Sequence, residues 1–173
     1  APYDAYTKFL ELEGITVFPW KVSKNSINPF FELIALIDLI RIYRREKPYI
    51  VHHFTIKSCL YGTIAAKIPG VYKVINAITG LGHVFLGNKK RNQLLRQGLK
   101  PLYRAVFMAR RATVVFQNAD DQERLIQLGI TDDSRARLIR GSGVDINYFN
   151  PVYDNSGKYN SPIKILFPSR LIR

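Results

Sequence analysis

Short runs rich in β-branched and aromatic residues alternate along this chain with stretches of helical periodicity, and that alternation limits the fold more than any other feature. Extended runs are expected at Ile15–Pro19, Tyr49–Phe54, Val71–Ile78, Ala112–Asn118 and Ala136–Ile139. Between them lie helical patterns. Asn28-Pro29 opens one that runs through Arg45, with Leu33, Ile34, Ile37, Ile40 and Ile42 as its apolar side. A second follows Thr55 and is stopped by Pro69-Gly70, and a third covers Asp120 to Leu128 before Gly129. Asn88 to Arg111 also reads as helical but contains Gly98 and Pro101, so two helices or one kinked helix are expected. Strand and helix in strict alternation point to an α/β fold of parallel βαβ units, a parallel sheet flanked by helices.

The 173 residues, 47% apolar, suffice for one packed domain of ordinary size. A loop of linker composition, Gly141 to Pro162, then separates the last strand from Ile163–Pro168, which begins a new unit. Residues 1–150 are therefore expected to form the main domain, 151–162 a linker, and 163–173 the first strand of a second domain.

The formal charge of +13 reads either as a solvated basic surface or as a match to an anionic ligand, nucleic acid or an anionic membrane face, and does not choose among them. Cys59 is the only cysteine, which excludes an intrachain disulfide and a cysteine-rich metal site. The most apolar stretch, Phe30 to Tyr43, is interrupted by Glu32, Asp38 and Arg41 and is shorter than the roughly 20 residues of a spanning helix. No signal-peptide pattern is evident, so a soluble or peripheral protein is expected.

In an open parallel sheet, ligands bind beyond the carboxyl ends of the strands. Three such ends carry suggestive residues. The first is His52-His53-Phe54-Thr55-Ile56-Lys57-Ser58. Alternation sends the two histidines to opposite faces, so they make a poor chelating pair and one belongs to the core. Lys57 and Ser58 sit near a helix start that favours an anion, while Thr55 or Ser58 could equally cap that helix. The second is Thr79-Gly80-Leu81-Gly82-His83, half of a dinucleotide fingerprint with no third glycine in place. That gap argues against a nucleotide-dependent oxidoreductase. His83, the one titratable side chain beside these glycines, is a candidate to meet a sugar hydroxyl or a phosphate. The third end is Phe116-Gln117-Asn118, where Asn118 either reads a ligand or caps a helix. Farther on, Arg96, Lys100 and Arg104 are spaced i, i+4, i+8 beside an apolar stripe of Leu95, Leu99, Leu102 and Val106, a pattern suited to an anionic bilayer surface or a lipid diphosphate, and equally to a helix packed by its apolar side with its charges in water.

The ordered segments KPYIVHHFTIKSCLYGTIAAKIPGV, VINAITGLGHVF, RATVVFQNADDQERLIQLGI, RGSGVDINYFNP and ILFPSRLIR resemble the family 4 glycosyltransferases, retaining enzymes of GT-B architecture, which implies a Rossmann-like parallel sheet flanked by helices as one of two such domains. The TGLG form of the loop is most similar to bacterial enzymes that build O-antigen, capsule or lipid-linked glycans. The resemblance implies an acceptor-side N-terminal domain lacking its first βα unit, followed by the start of a donor-binding domain. It implies an acceptor-side cleft at His52, Thr55, Lys57, Thr79, Gly80, Gly82, His83 and Asn118, and a donor-diphosphate contact at Arg170. Other members often carry a histidine where Thr79 stands; this chain departs from that pattern, which leaves His83 as the candidate catalytic histidine. A second family histidine is replaced by Phe54, while His52 and Lys57 match. The implied chemistry transfers a sugar from a UDP-sugar to a lipid-linked saccharide, without a bound metal or other cofactor. The enzyme would be cytoplasmic and peripheral on the inner face of the cell membrane, with Arg96, Lys100 and Arg104 facing the anionic lipid. The 173-residue piece alone is expected to be inactive. The alternative is a non-catalytic basic domain that docks on anionic lipid or nucleic acid; for the transferase, nucleic acid is not an expected partner.

Overall fold

The expected alternation produces four parallel strands with helices between them. The computed structural model describes residues 5–22, 28–81, 90–141 and 143–149; of residues 90–96 it describes the backbone only. The elements run α1 (Ala5–Leu12), α2 (Pro29–Glu46), β1 (Ile50–Phe54), α3 (Ile56–Lys67), β2 (Lys73–Ile78), α4 (Lys90–Phe107), β3 (Ala112–Phe116), α5 (Ala119–Gln127) and β4 (Ala136–Leu138). The sheet order is β1-β2-β3-β4 and every pairing is parallel. Phe54 lies level with Ala77, Ile78 with Phe116, and Phe116 with Leu138, so the four carboxyl ends share one edge.

The crossover helices cover one face. Cys59 from α3, Tyr103, Val106 and Phe107 from α4, and Leu125 from α5 share a single core with Ile78, Val114, Phe116 and Ala136 of the strands. A smaller cluster joins Val51, Ala66, Val71 and Val74 to Tyr43 of α2. β1 alternates accordingly: Val51 and His53 point inward, while Ile50, His52 and Phe54 stand in solvent on the other face.

The opposite edge, where the strands begin, is closely tied. Arg111 donates from Nη1 to the carbonyls of Gly70 (3.1 Å) and Val71 (3.0 Å), and its own carbonyl accepts from Val74 N at 3.0 Å. Tyr49 and Tyr72 stack there, 4.5 Å apart and 9° from parallel.

Two expectations are corrected, and a third, left open between one helix and two, is settled as one. Ile15–Pro19 forms no strand: residues 15–22 instead lie along α2, with Trp20 Nε1 donating to Ala35 O at 2.8 Å and Lys21 N donating to Asp38 Oδ2 at 3.2 Å. On α2, the packed side is Ala35 and Leu39 with Tyr43, whereas Leu33, Ile34 and Ile37 are exposed. The region from Lys90 to Phe107 is one helix with Pro101 inside it. Proline removes a hydrogen bond there, costing ~3 kcal/mol, and burial of Tyr103, Val106 and Phe107 just beyond opposes that loss.

The chain divides into two compact units, Ala1–Ser142 and Gly143–Arg173. In the second, Asp145 organises a turn by accepting from Asn147 N and Tyr148 N. The linker and the last strand read from the sequence lie outside the described residues.

Candidate functional site

The parallel register gathers Thr55, Thr79, Gly80 and Asn118 at the carboxyl edge of the sheet. Thr55 N donates to Ala77 O at 3.2 Å, which fixes the β1–α3 turn against β2. The turn holds Thr55 at φ 71°, ψ 152°, a region that a β-branched residue enters at a cost of about 1–3 kcal/mol. Its side chain makes no cap hydrogen bond to α3, and reaches Ser58 Oγ at 3.5 Å instead. The capping reading of Thr55 is therefore replaced by that of a strained corner.

Lys57, in the first turn of α3, meets Glu32 of α2. Lys57 Nζ lies 2.8 Å from Glu32 Oε1, and both side chains are largely shielded from water. Tyr61 donates its hydroxyl to Glu32 Oε2, and Lys57 Nζ lies 5.8 Å from the centre of the Tyr61 ring. Burial raises the Tyr61 phenol pKa well above its ordinary value, and the hydrogen bond and charge of Glu32 add to the rise. An anion approaching this helix start therefore meets a lysine whose charge already has a carboxylate partner. Glu32 and Tyr61 escaped the sequence reading because both sit within helical patterns, and Glu32 lies 25 residues from Lys57.

Behind this edge is a buried polar chain. His53 Nδ1 lies 2.9 Å from Asn76 Oδ1, and His53 Nε2 lies 2.8 Å from the Tyr43 hydroxyl. Asn76 Nδ2 donates to Thr63 Oγ1 at 2.9 Å. An amide oxygen can only accept, so Nδ1 of His53 carries the proton and Nε2 accepts from Tyr43. Burial pulls the His53 pKa below its ordinary value; the bond to Asn76 partly opposes this, and nearby His52 adds to it. Burial also pushes the Tyr43 phenol up to about 12. The ring occupies the space over Gly62, where an added Cβ would fall 2.2 Å from Nε2. His53 is thus the core histidine, and His52 is the one exposed on the far face beside Phe54, with ring centres 4.3 Å apart. The clue in the sequence was Asn76, a polar residue amid an apolar strand.

Thr79 and Gly80 are exposed, and a Cβ on Gly80 would meet nothing within 4 Å. Leu81 beside them is buried in the main core and anchors the loop. Gly82, His83 and Arg170 lie outside the described residues. Asn118 caps α5: its Oδ1 accepts from Asp121 N at 2.8 Å and its Nδ2 donates to Asp121 Oδ2 at 3.0 Å. Both ends of the amide are thereby engaged.

Of the basic row on α4, Lys100 is exposed, and the side chain of Arg96 is outside the described residues. Arg104 is exposed too, but its guanidinium donates to Gly129 O beyond the end of α5, where a cation complements the helix dipole. Among the described residues, no group of three or more His, Cys, Asp or Glu is placed to hold a metal, and no helix is long and apolar enough to cross a membrane.

This edge can present hydroxyls, an open glycine backbone and a compensated lysine to a polar ligand. Comparison with known proteins agrees with the topology. The chain is 26% identical over 157 residues, 91% of its length, to an N,N'-diacetylbacillosaminyl-diphospho-undecaprenol alpha-1,3-N-acetylgalactosaminyltransferase of Campylobacter jejuni. It is 28% identical over 130 residues, 73% of its length, to a UDP-Gal:alpha-D-GlcNAc-diphosphoundecaprenol alpha-1,3-galactosyltransferase of Escherichia coli. The chain spans 41% and 31% of the lengths of these two relatives. The model of one family, described as glycosyl transferase 4-like, matches residues 5–118, more than half of the chain. The chain, with its four-stranded parallel sheet, belongs to the glycosyl transferase 4-like family.

Proposed function

We propose that the chain is the acceptor-side domain of a retaining glycosyltransferase that moves a sugar from a nucleotide-sugar, with UDP as the carrier, to a lipid-linked saccharide in bacterial surface-glycan synthesis. The observation that carries this is the family match over residues 5–118, which covers the whole of β1, β2 and β3 and the turns after β1 and β2. Both named relatives act, by their names, on sugars borne by undecaprenyl diphosphate. Family membership also supports an enzyme over a non-catalytic binding domain.

On this reading Thr55, Thr79 and the open backbone at Gly80 face the acceptor. The Lys57–Glu32 pair orders the wall of the cleft beside α3. Arg170 contributes positive charge to the donor diphosphate, where a preorganised cation stabilises the leaving group. The reaction proceeds at the inner face of the cytoplasmic membrane and needs no resident metal.

The test is an assay of the full-length gene product with a panel of UDP-sugars and undecaprenyl-diphosphate-linked monosaccharides, read by mass spectrometry of the lipid product. The expected result is one added hexose or N-acetylhexosamine in α linkage, established by NMR. Failure to extend any lipid-linked acceptor, with extension of a free sugar or a protein instead, would refute the assignment.

A further inference from the structure

The edge where the strands begin holds a cleft lined by cations and aromatic rings. Its volume is about 560 Å³, and it lies among the end of α2, the start of β1, the turn from α3 into β2 and the root of β3. Sites for small organic ligands have this size. Arg44, Lys47 and Arg111 bring three positive charges to its wall, and no acidic residue is among those that line it. Among the described residues, no carboxylate pairs with any of the three, and Glu46, the acid beside Lys47, is held by Arg45. The stacked rings of Tyr49 and Tyr72 complete the lining, both more than half exposed.

These groups are held in place. Arg111 commits Nη1 to Gly70 O and Val71 O, its Nε and Nη2 have no partner among the described residues, and its Cζ lies 6.0 Å from the centre of the Tyr72 ring. Tyr49 O accepts from Tyr72 N at 3.1 Å and from Lys73 N at 3.2 Å, which ties the two strand starts together beneath the rings. Lys47 adopts φ 47°, ψ 51°, a left-handed conformation that glycine takes more readily at a helix end. A cation there complements the dipole of α2, but Arg44 and Arg45 already stand in its last turn, and Arg111 belongs to no helix. Helix ends therefore do not account for three charges converging beside a pair of tyrosines.

We propose that this cleft binds a nucleoside phosphate, with the phosphate held by Arg44, Lys47 and Arg111 and the base laid against the tyrosine pair. The charges alone would admit any phosphate. The paired rings add a flat apolar surface that suits a planar base, and such stacking is indifferent to which base it is. The six residues of β2 put about 20 Å between the cleft and Thr79 and Gly80, so a ligand here stays clear of the carboxyl edge. The binding does not rest on the function proposed above.

The test is hydrogen exchange read by mass spectrometry on the full-length gene product, titrated with UMP, AMP, glucose 1-phosphate or inorganic phosphate. UMP and AMP should each slow exchange in peptides covering 47–49 and 70–73, at concentrations about tenfold below those needed with glucose 1-phosphate or inorganic phosphate. The variant R44Q/K47G should weaken that protection by at least about tenfold. Glycine keeps the left-handed turn, so unchanged far-UV circular dichroism is expected and separates lost binding from lost fold. Y49S/Y72S should reduce UMP to the level of inorganic phosphate. R170A, at the donor-diphosphate contact, should leave the protection of these peptides unchanged. The proposal is overturned if neither nucleotide protects them, as when another segment of the gene product fills the cleft. It is equally overturned if R170A removes the protection, if R44Q/K47G keeps it in full, or if inorganic phosphate protects as well as UMP. The readout is local to the lower edge and involves no sugar transfer, so this test and the transferase assay can fail independently.

Discussion

Replacing Gly62 by alanine should destabilise the domain even though alanine is the better helix former. In the interior of α3 the exchange gains about 1 kcal/mol in helix propensity. Against it stands the ring of His53, whose Nε2, Cδ2 and Cε1 would lie 2.2, 2.4 and 2.5 Å from the new Cβ. No rotamer change at an alanine relieves that overlap, so the ring must move. Moving it strains the packing by about 1–3 kcal/mol and breaks the bonds to Tyr43 and Asn76, each contributing about 0.5–1.5 kcal/mol. The net expected loss is about 3 kcal/mol, read as a lowered midpoint in urea followed by far-UV circular dichroism. The decisive measurement is the cycle with H53A. Once the imidazole is gone, the same G62A change should be neutral or stabilising by up to about 1 kcal/mol, because the three atoms nearest the added methyl have been removed. If G62A costs the same in both backgrounds, to within about 0.5 kcal/mol, the steric argument is wrong.

Acid should weaken the fold through the same histidine. Burial lowers its pKa in the folded state, so its contribution is complete above the unfolded value of about 6.5 and is lost as pH falls below it towards the folded value. The loss is about 1.4 kcal/mol per pH unit within that window, and H53N should flatten the slope in denaturation measured from pH 7.5 down to about 5. T55G should stabilise by about 1 kcal/mol by releasing the corner at φ 71°; a loss of similar size in thermal melting would show that the turn is not strained. N118A should cost about 1 kcal/mol through the lost cap of α5, visible as a lower melting temperature. E32Q should leave Lys57 without its carboxylate and bring the Tyr61 phenol back down towards its ordinary range, measured by ultraviolet difference titration against Y61F.

The parallel sheet was legible because β1, β2 and β3 are short runs containing β-branched residues, and that information is local. Asn28, Pro29, Gly70 and Gly129 announced element ends for the same reason. What escaped depends on partners remote in sequence. Ile15–Pro19 has the composition of a strand, but a strand exists only when it is paired, and this segment lies on α2 instead. The packed side of α2 could not be chosen by periodicity, because Leu33 to Ile42 is apolar nearly all round. At the site, Thr55 and Lys57 were found by their place after β1, yet the carboxylate that holds Lys57 comes from the preceding helix. The His52–His53 pair divided between core and solvent as simple alternation requires.

The stitching of the lower edge by Arg111 has a mechanical consequence. One guanidinium holds the turn into β2, and the backbone of the same residue receives Val74 at the root of the neighbouring strand. The sheet is thus clamped at its foot like a fan held at the rivet, while its far rim ends at Gly80, where a Cβ would find open space. Slow amide exchange is expected at Val74 and Val114 and fast exchange at Thr79 and Gly80, a gradient of compliance running along the strands. If that gradient is found, motion at the rim is uncoupled from the stability of the base, and the edge can shift without loosening the domain that carries it.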